Sequence, residues 1–111
     1  MRPPDFSREN LFGGRGRVSI WNLTPNLSPF TALLWCSLSS HGRVGPHRQE
    51  RDPEVIVCIS GTGHIWINKV KHIMEPMNSY ALPLGAILAI ENTAEEPLVY
   101  SITKAQLTAQ R

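Results

Sequence analysis

From Arg17 to Thr103 the chain is a succession of short apolar runs broken by turn residues, and no run sustains a helical period. Arg17–Leu23 alternates, with Trp21 and Leu23 on one face. Phe30–Leu38 is apolar throughout and predicts a strand buried on both faces. Arg43–Gln49 predicts a strand ending in the Gln49–Pro53 loop. Glu54–Ser60 (EVIVCIS) is rich in β-branched residues and predicts another. Gly61-Thr62-Gly63 is a tight turn into a strand over His64–Ile67, and Asn68–Lys71 suggests a further hairpin connection. Tyr80–Leu82, Ala86–Glu91 and Leu98–Thr103 complete the strands. Many short strands, regular turns and no long amphipathic helix predict an all-β barrel or sandwich.

The ends read differently. Residues 1–13 (two prolines, then a polar run) predict a flexible or partner-docking arm, residues 14–104 the barrel, and residues 105–111 a C-terminal tail with helical propensity. With 111 residues the chain holds one domain. Its net charge of +2 comes from dispersed basic residues, which gives no reason to invoke nucleic acid. No apolar run is long enough to span a membrane, and the N-terminus lacks a secretory segment, so cytoplasm is the expected compartment. Cys36 and Cys58 sit inside apolar runs and read as buried thiols rather than a disulfide. The sequons at Asn22 and Asn26 carry little meaning without a signal peptide.

Two segments carry the candidate chemistry. The first is His47-x-Gln49-x4-Glu54-x6-Gly61, and the second is Met77-x5-Pro83-x-Gly85-x2-Leu88-x3-Asn92. Residues two apart on a strand face one way, so His47 and Gln49 share a side, and Glu54 can face the same interior from the next strand. By the same parity Ile56 and Cys58 accompany Glu54, while Ala86 and Ile90 accompany Leu88. A pocket built on these positions is polar on one wall and apolar on the other, which suits a partly apolar organic ligand. Side chains filling the barrel completely are the equally weighted alternative.

The spacing of the two segments resembles the cupin family. Its signatures read G-x5-H-x-H-x(3–4)-E-x6-G and G-x5-P-x-G-x2-H-x3-N, and the likeness covers about residues 40–93. The resemblance implies a double-stranded β-helix (jelly-roll) barrel and a metal site on one wall. His41 and Met77 stand at the two leading glycine positions, Gln49 at the second histidine and Leu88 at the last. The ligand set that remains is His47, Gln49 and Glu54, with His47 and Glu54 also the candidate acid–base pair. Such a site holds one divalent transition metal (Mn, Fe, Ni or Zn) weakly, or none. His41, His64 and His72 are the residues that can be asked to replace the missing ligand, although a structural role is the plainer reading of each.

Three functions follow: a metal-dependent isomerase, cyclase or dioxygenase with a weakened site; a metal-free, non-catalytic small-molecule-binding barrel; and a metal-free acid–base enzyme. The family resemblance also implies a homodimer, with residues 5–23 adding to a partner's sheet. Trp21, Trp35 and Trp66 read as core or interface residues before ligand-stacking ones. Arg43, Arg48 and Arg51 are candidates for a positive rim near His47.

Overall fold

A computed structural model describes residues 1–107. Its ten strands are β1 (Phe6–Glu9), β2 (Arg17–Asn22), β3 (Phe30–Leu38), β4 (Arg43–Arg48), β5 (Glu54–Ser60), β6 (Gly63–Ile67), β7 (Val70–Met74), β8 (Ser79–Leu82), β9 (Ile87–Asn92) and β10 (Leu98–Ala105). They form a six-stranded sheet, β1-β2-β3-β10-β5-β8, facing a four-stranded sheet, β4-β9-β6-β7. Every pairing is antiparallel, and consecutive strands repeatedly cross between the sheets. The strand pattern predicts an all-β barrel or sandwich, and this is the jelly-roll barrel that the family resemblance implies. Among the described residues no helix is long and apolar enough to cross a membrane.

The core lies between the sheets. Val18, Ile20, Cys36, Leu38, Ile56, Cys58, Leu82, Leu98 and Tyr100 of the larger sheet meet Val44, Ile65, Met74, Leu88 and Ile90 of the smaller one. On β2 the inward face is Val18 and Ile20. Trp21 is half-buried and Leu23 exposed, the reverse of what apolarity alone suggests. Trp21 pairs directly with Trp35 on the outer face, so β3 is buried on one face and half-covered on the other.

The N-terminal segment is more structured than its composition predicts. β1 pairs with β2, and the turn Leu11–Gly13 packs against β4. The packing is backbone against backbone: a Cβ on Gly14 would collide with the Arg43 carbonyl, and one on Gly45 with the Phe12 carbonyl. Arg15 fastens the segment further, donating from Nε to the His41 carbonyl at 2.8 Å and pairing with Glu91 at 2.6 Å. At the other end the strand continues past Thr103 through Lys104 and Ala105, both read from sequence as barrel edge and tail, and Gln106 N–H donates to the Pro29 carbonyl. Residues 108–111 of the expected tail lie outside the described residues.

Val70–Met74 is a strand that the sequence does not announce. It lies at the edge of the smaller sheet with Met74 alone buried, so no apolar alternation marks it.

Candidate functional site

Between the sheets lies an open cavity of about 690 Å³. One part of its wall is apolar: Val18 and Ile20 from β2, Leu34 from β3, Val44 from β4, Leu88 and Ile90 from β9, and Ile102 from β10. Its polar residues are His47, Gln49, Glu54, Tyr100 and Lys104, with Thr31, Arg48, Glu50, Arg51 and Asp52 around the mouth.

His47, Gln49 and Glu54 therefore come together as the spacing predicts, but the route differs. β4 carries a bulge: Val44 pairs with Ile90 and His47 with Leu88, so Gly45 and Pro46 occupy the space opposite one residue of β9. Pro46 has no N–H to offer a ladder and is tolerated there. The bulge turns both Val44 and His47 inward despite their odd separation. It also leaves Arg43 outside, stacked over Trp66 at 4.8 Å and 3.9 Å from Glu91, so Arg43 is not part of a rim. Arg48 and Arg51 do reach the mouth, where Glu50 and Asp52 balance them.

His47 is held on both sides. Its Nδ1 lies 3.0 Å from the Gly45 carbonyl, which requires the proton on Nδ1 and leaves Nε2 as an acceptor. The Phe12 ring stacks on the imidazole at 3.9 Å with the planes 13° apart. Phe12 takes a left-handed backbone conformation, φ 54°, uncommon for a bulky residue. Burial pushes the His47 pKa below 6.5 despite the Gly45 hydrogen bond, and the charge of Lys104 adds to that effect. The ring is thus neutral at physiological pH.

Glu54 is the most deeply placed charge of the site, its side chain 2% exposed. Lys104 is its direct cross-strand partner in the β5–β10 register, and Lys104 Nζ lies 3.6 Å from Glu54 Oε1. Glu54 Oε2 is buried without a hydrogen-bond partner among the described residues. Burial raises the Glu54 pKa above its ordinary value, and Lys104 offsets part of that rise. Burial pushes the Cys36 thiol up to about 12, with Glu54 adding to it, and pushes the Tyr100 phenol well above 10, with Cys36 and then Glu54 adding to it. Both groups stay protonated.

Lys104, Tyr100 and Asp52, whose Oδ2 accepts from Thr31 Oγ1 at 2.8 Å, are cavity residues that the motif spacing does not reach. The signal for two of them was present: Leu98, Tyr100, Ile102 and Lys104 alternate down one face of β10. Three expected pocket residues lie elsewhere. Ile56, Cys58 and Ala86 are buried in the core and do not line the cavity.

None of the remaining histidines approaches the cavity. His41 is exposed at φ 55° and contacts Glu95 at 3.1 Å. His64 meets Trp66 edge-on on the outer face, and His72 lies on exposed β7. The tryptophans do not line the cavity either.

Glu54 Oε2 has no hydrogen-bond partner among the described residues, so the donor set around it decides whether a transition metal fits. It offers one imidazole, one carboxylate already facing an ammonium and one neutral amide. Leu88, opposite His47, has no donor. Among the described residues no three His, Cys, Asp or Glu side chains are grouped to hold a metal ion. These residues do not fit a Mn, Fe, Ni or Zn centre.

The second segment serves the backbone. Gly85 sits at φ 91°, and its N–H donates to the Gln49 carbonyl at 2.7 Å, while the Gln49 N–H donates to the Ala86 carbonyl at 2.8 Å. Asn92 is 1% exposed. Its Nδ2 donates to the carbonyls of Leu38, Ser39 and Glu96 at 3.2, 3.0 and 2.8 Å, and its Oδ1 accepts from Ala94 N–H at 3.0 Å.

Comparison with solved structures points the same way as the fold. A structure described as a predicted oxalate decarboxylase from Thermotoga maritima superposes with a TM-score of 0.85 at 21% identity, covering 96% of this chain and 95% of that one. The cupin domain of Schizosaccharomyces pombe Cnp3 gives 0.76 at 13% identity, covering 92% and 69%. A sugar phosphate isomerase of the cupin superfamily from Silicibacter pomeroyi gives 0.69 at 18%, covering 81% and 60%. No curated protein matches the sequence. Residues 34–103 match the cupin domain, so this chain belongs to the cupin family.

Proposed function

We propose that this protein is a metal-free cupin barrel that binds a small, partly apolar organic molecule. The observation that carries the reading is the wall of the cavity: the fourth-ligand position holds Leu88, and the carboxylate of the site faces Lys104 instead of open space. What remains is an apolar wall able to grip a hydrocarbon or ring, beside a few polar groups able to orient one end of it. His47 Nε2 accepts a hydrogen bond, Lys104 donates, and Tyr100 and Gln49 can do either. The solved relatives named for oxalate and for a sugar phosphate suggest small oxygen-rich substrates. The apolar wall here favours a ligand with a larger hydrocarbon part.

Ligand-observed NMR with a fragment set of small aromatic and branched aliphatic amides, alcohols and acids tests this directly. Fragments should bind the native protein and be displaced from Leu34→Trp, in which an indole fills the apolar side of the cavity. Failure of every fragment to bind the native protein would overturn the reading.

We also propose that the protein forms a homodimer and works in the cytoplasm. β1 leaves one edge of the larger sheet unpaired, and Trp21 and Trp35 give its outer face an apolar patch beside that edge. Light scattering at monomer mass would reject the dimer. Cys36 and Cys58 are both buried free thiols, which suits a reducing compartment.

A further inference from the structure

We infer that Lys104 supplies, as part of the chain, the positive charge that would otherwise come from a bound metal, and that it is the residue that keeps divalent cations out of this barrel. The inference rests on the metal-free reading and names what enforces it.

Its placement follows from sheet register. Glu54 and Lys104 are directly opposed across β5 and β10. Both side chains project inward, because Ile56 and Cys58 on one strand and Tyr100 and Ile102 on the other face the interior at alternate positions. A register shift falls between Lys104 and Ala105, so the regular ladder with β3 extends just far enough to fix Lys104 over the site. The ammonium then lies 3.6 Å from Oε1, one of the two Glu54 oxygens open to a cation.

Two loss-of-ligand positions, Gln49 and Leu88, therefore do not by themselves account for metal exclusion. Placing imidazoles there would leave a positive charge beside Glu54, competing for its carboxylate and repelling a divalent ion, with solvent at the half-exposed ammonium screening part of that repulsion. A neutral side chain at position 104 removes both effects.

Four proteins decide the matter: the native chain, Gln49→His/Leu88→His, and the same double variant carrying Lys104→Met or Lys104→Gln. Each is titrated with Ni²⁺ and Zn²⁺ by calorimetry, with bound metal counted by elemental mass spectrometry after desalting. Lys104→Gln in the same background serves as a second neutral variant that keeps a donor to Glu54, and melting curves without metal confirm that each variant is folded. The triple variants should bind one equivalent at least about tenfold more tightly than the double variant. Equal affinity in the double and triple variants, including no binding in either, overturns the role of Lys104 and leaves the metal-free reading intact. Stoichiometric metal in the native chain instead overturns the metal-free reading itself.

Discussion

The two motif segments have had opposite fates. In the corner from Met77 to Asn92, Pro83, Gly85 and Asn92 match the family pattern, while Met77 stands at a glycine position and Leu88 at the histidine position that carries chemistry. In the wall from His47 to Glu54, an imidazole and a carboxylate match the family pattern, and their contacts are with Phe12, Gly45 and Lys104. The difference follows from what each residue answers to. Asn92 satisfies four backbone groups at once, and Gly85 occupies a left-handed turn, so the fold itself demands them. A metal ligand is demanded only by the metal. Leu88, 2% exposed, contributes buried apolar area to the core in that position.

That contrast can be broken most forcefully at Asn92. Asn92→Ala should destabilise the protein by about 3 kcal/mol in urea denaturation, because it removes three hydrogen bonds donated to the carbonyls of Leu38, Ser39 and Glu96 and the acceptor of the Ala94 N–H. A loss below about 1 kcal/mol would mean the corner is not held by this side chain.

The polar wall should respond with the opposite sign. A carboxyl whose folded pKa lies above 4.5 contributes stability that is complete below pH 4.5 and is lost as pH rises through the folded value. Glu54→Gln should thus raise the melting temperature at pH 7–8 by several degrees, and the gain should vanish below pH 4.5. A lower melting temperature at neutral pH would show that the Lys104 pair outweighs the burial of the charge.

Met77 offers a smaller and cleaner comparison. It stands at a glycine position of the family pattern, is 89% exposed and adopts φ 76°. Met77→Gly should stabilise by up to about 1 kcal/mol by relieving left-handed strain, with no effect on ligand binding.

The smallest expected effect is at Phe12. Removing its ring exposes His47 to water, so Phe12→Ala should move the imidazole pKa up towards 6.5, read by NMR titration. The neutral buried ring contributes stability above pH 6.5 that is lost as pH falls through the folded value, so the variant should lose less stability on acidification. An unchanged titration would assign the burial to other neighbours.

Much of the barrel was legible because inward and outward positions alternate where strands are half-buried. The ends of Phe30–Leu38 and Glu54–Ser60 fall where the apolar runs end. β7 was hidden because an edge strand with Met74 alone buried has no pattern to read. The bulge at Gly45-Pro46 was hidden because one extra residue inverts parity without leaving a mark on hydropathy, and it alone moves Arg43 out of the site. Lys104 was obscured by the helix-prone residues around it, although the alternation from Leu98 pointed inward at that position. The location of the cavity was therefore readable from spacing. Its electrostatics were not, because they depend on a cross-strand neighbour fifty positions away in the chain.

The central claim is that this cupin works without a metal. The most direct test is elemental mass spectrometry on tag-free protein purified without chelator, before and after incubation with Mn, Fe, Ni and Zn salts and desalting. The account predicts no stoichiometric transition metal in the native chain and no difference in His47→Ala. One equivalent of metal in the native protein that disappears in His47→Ala would contradict it.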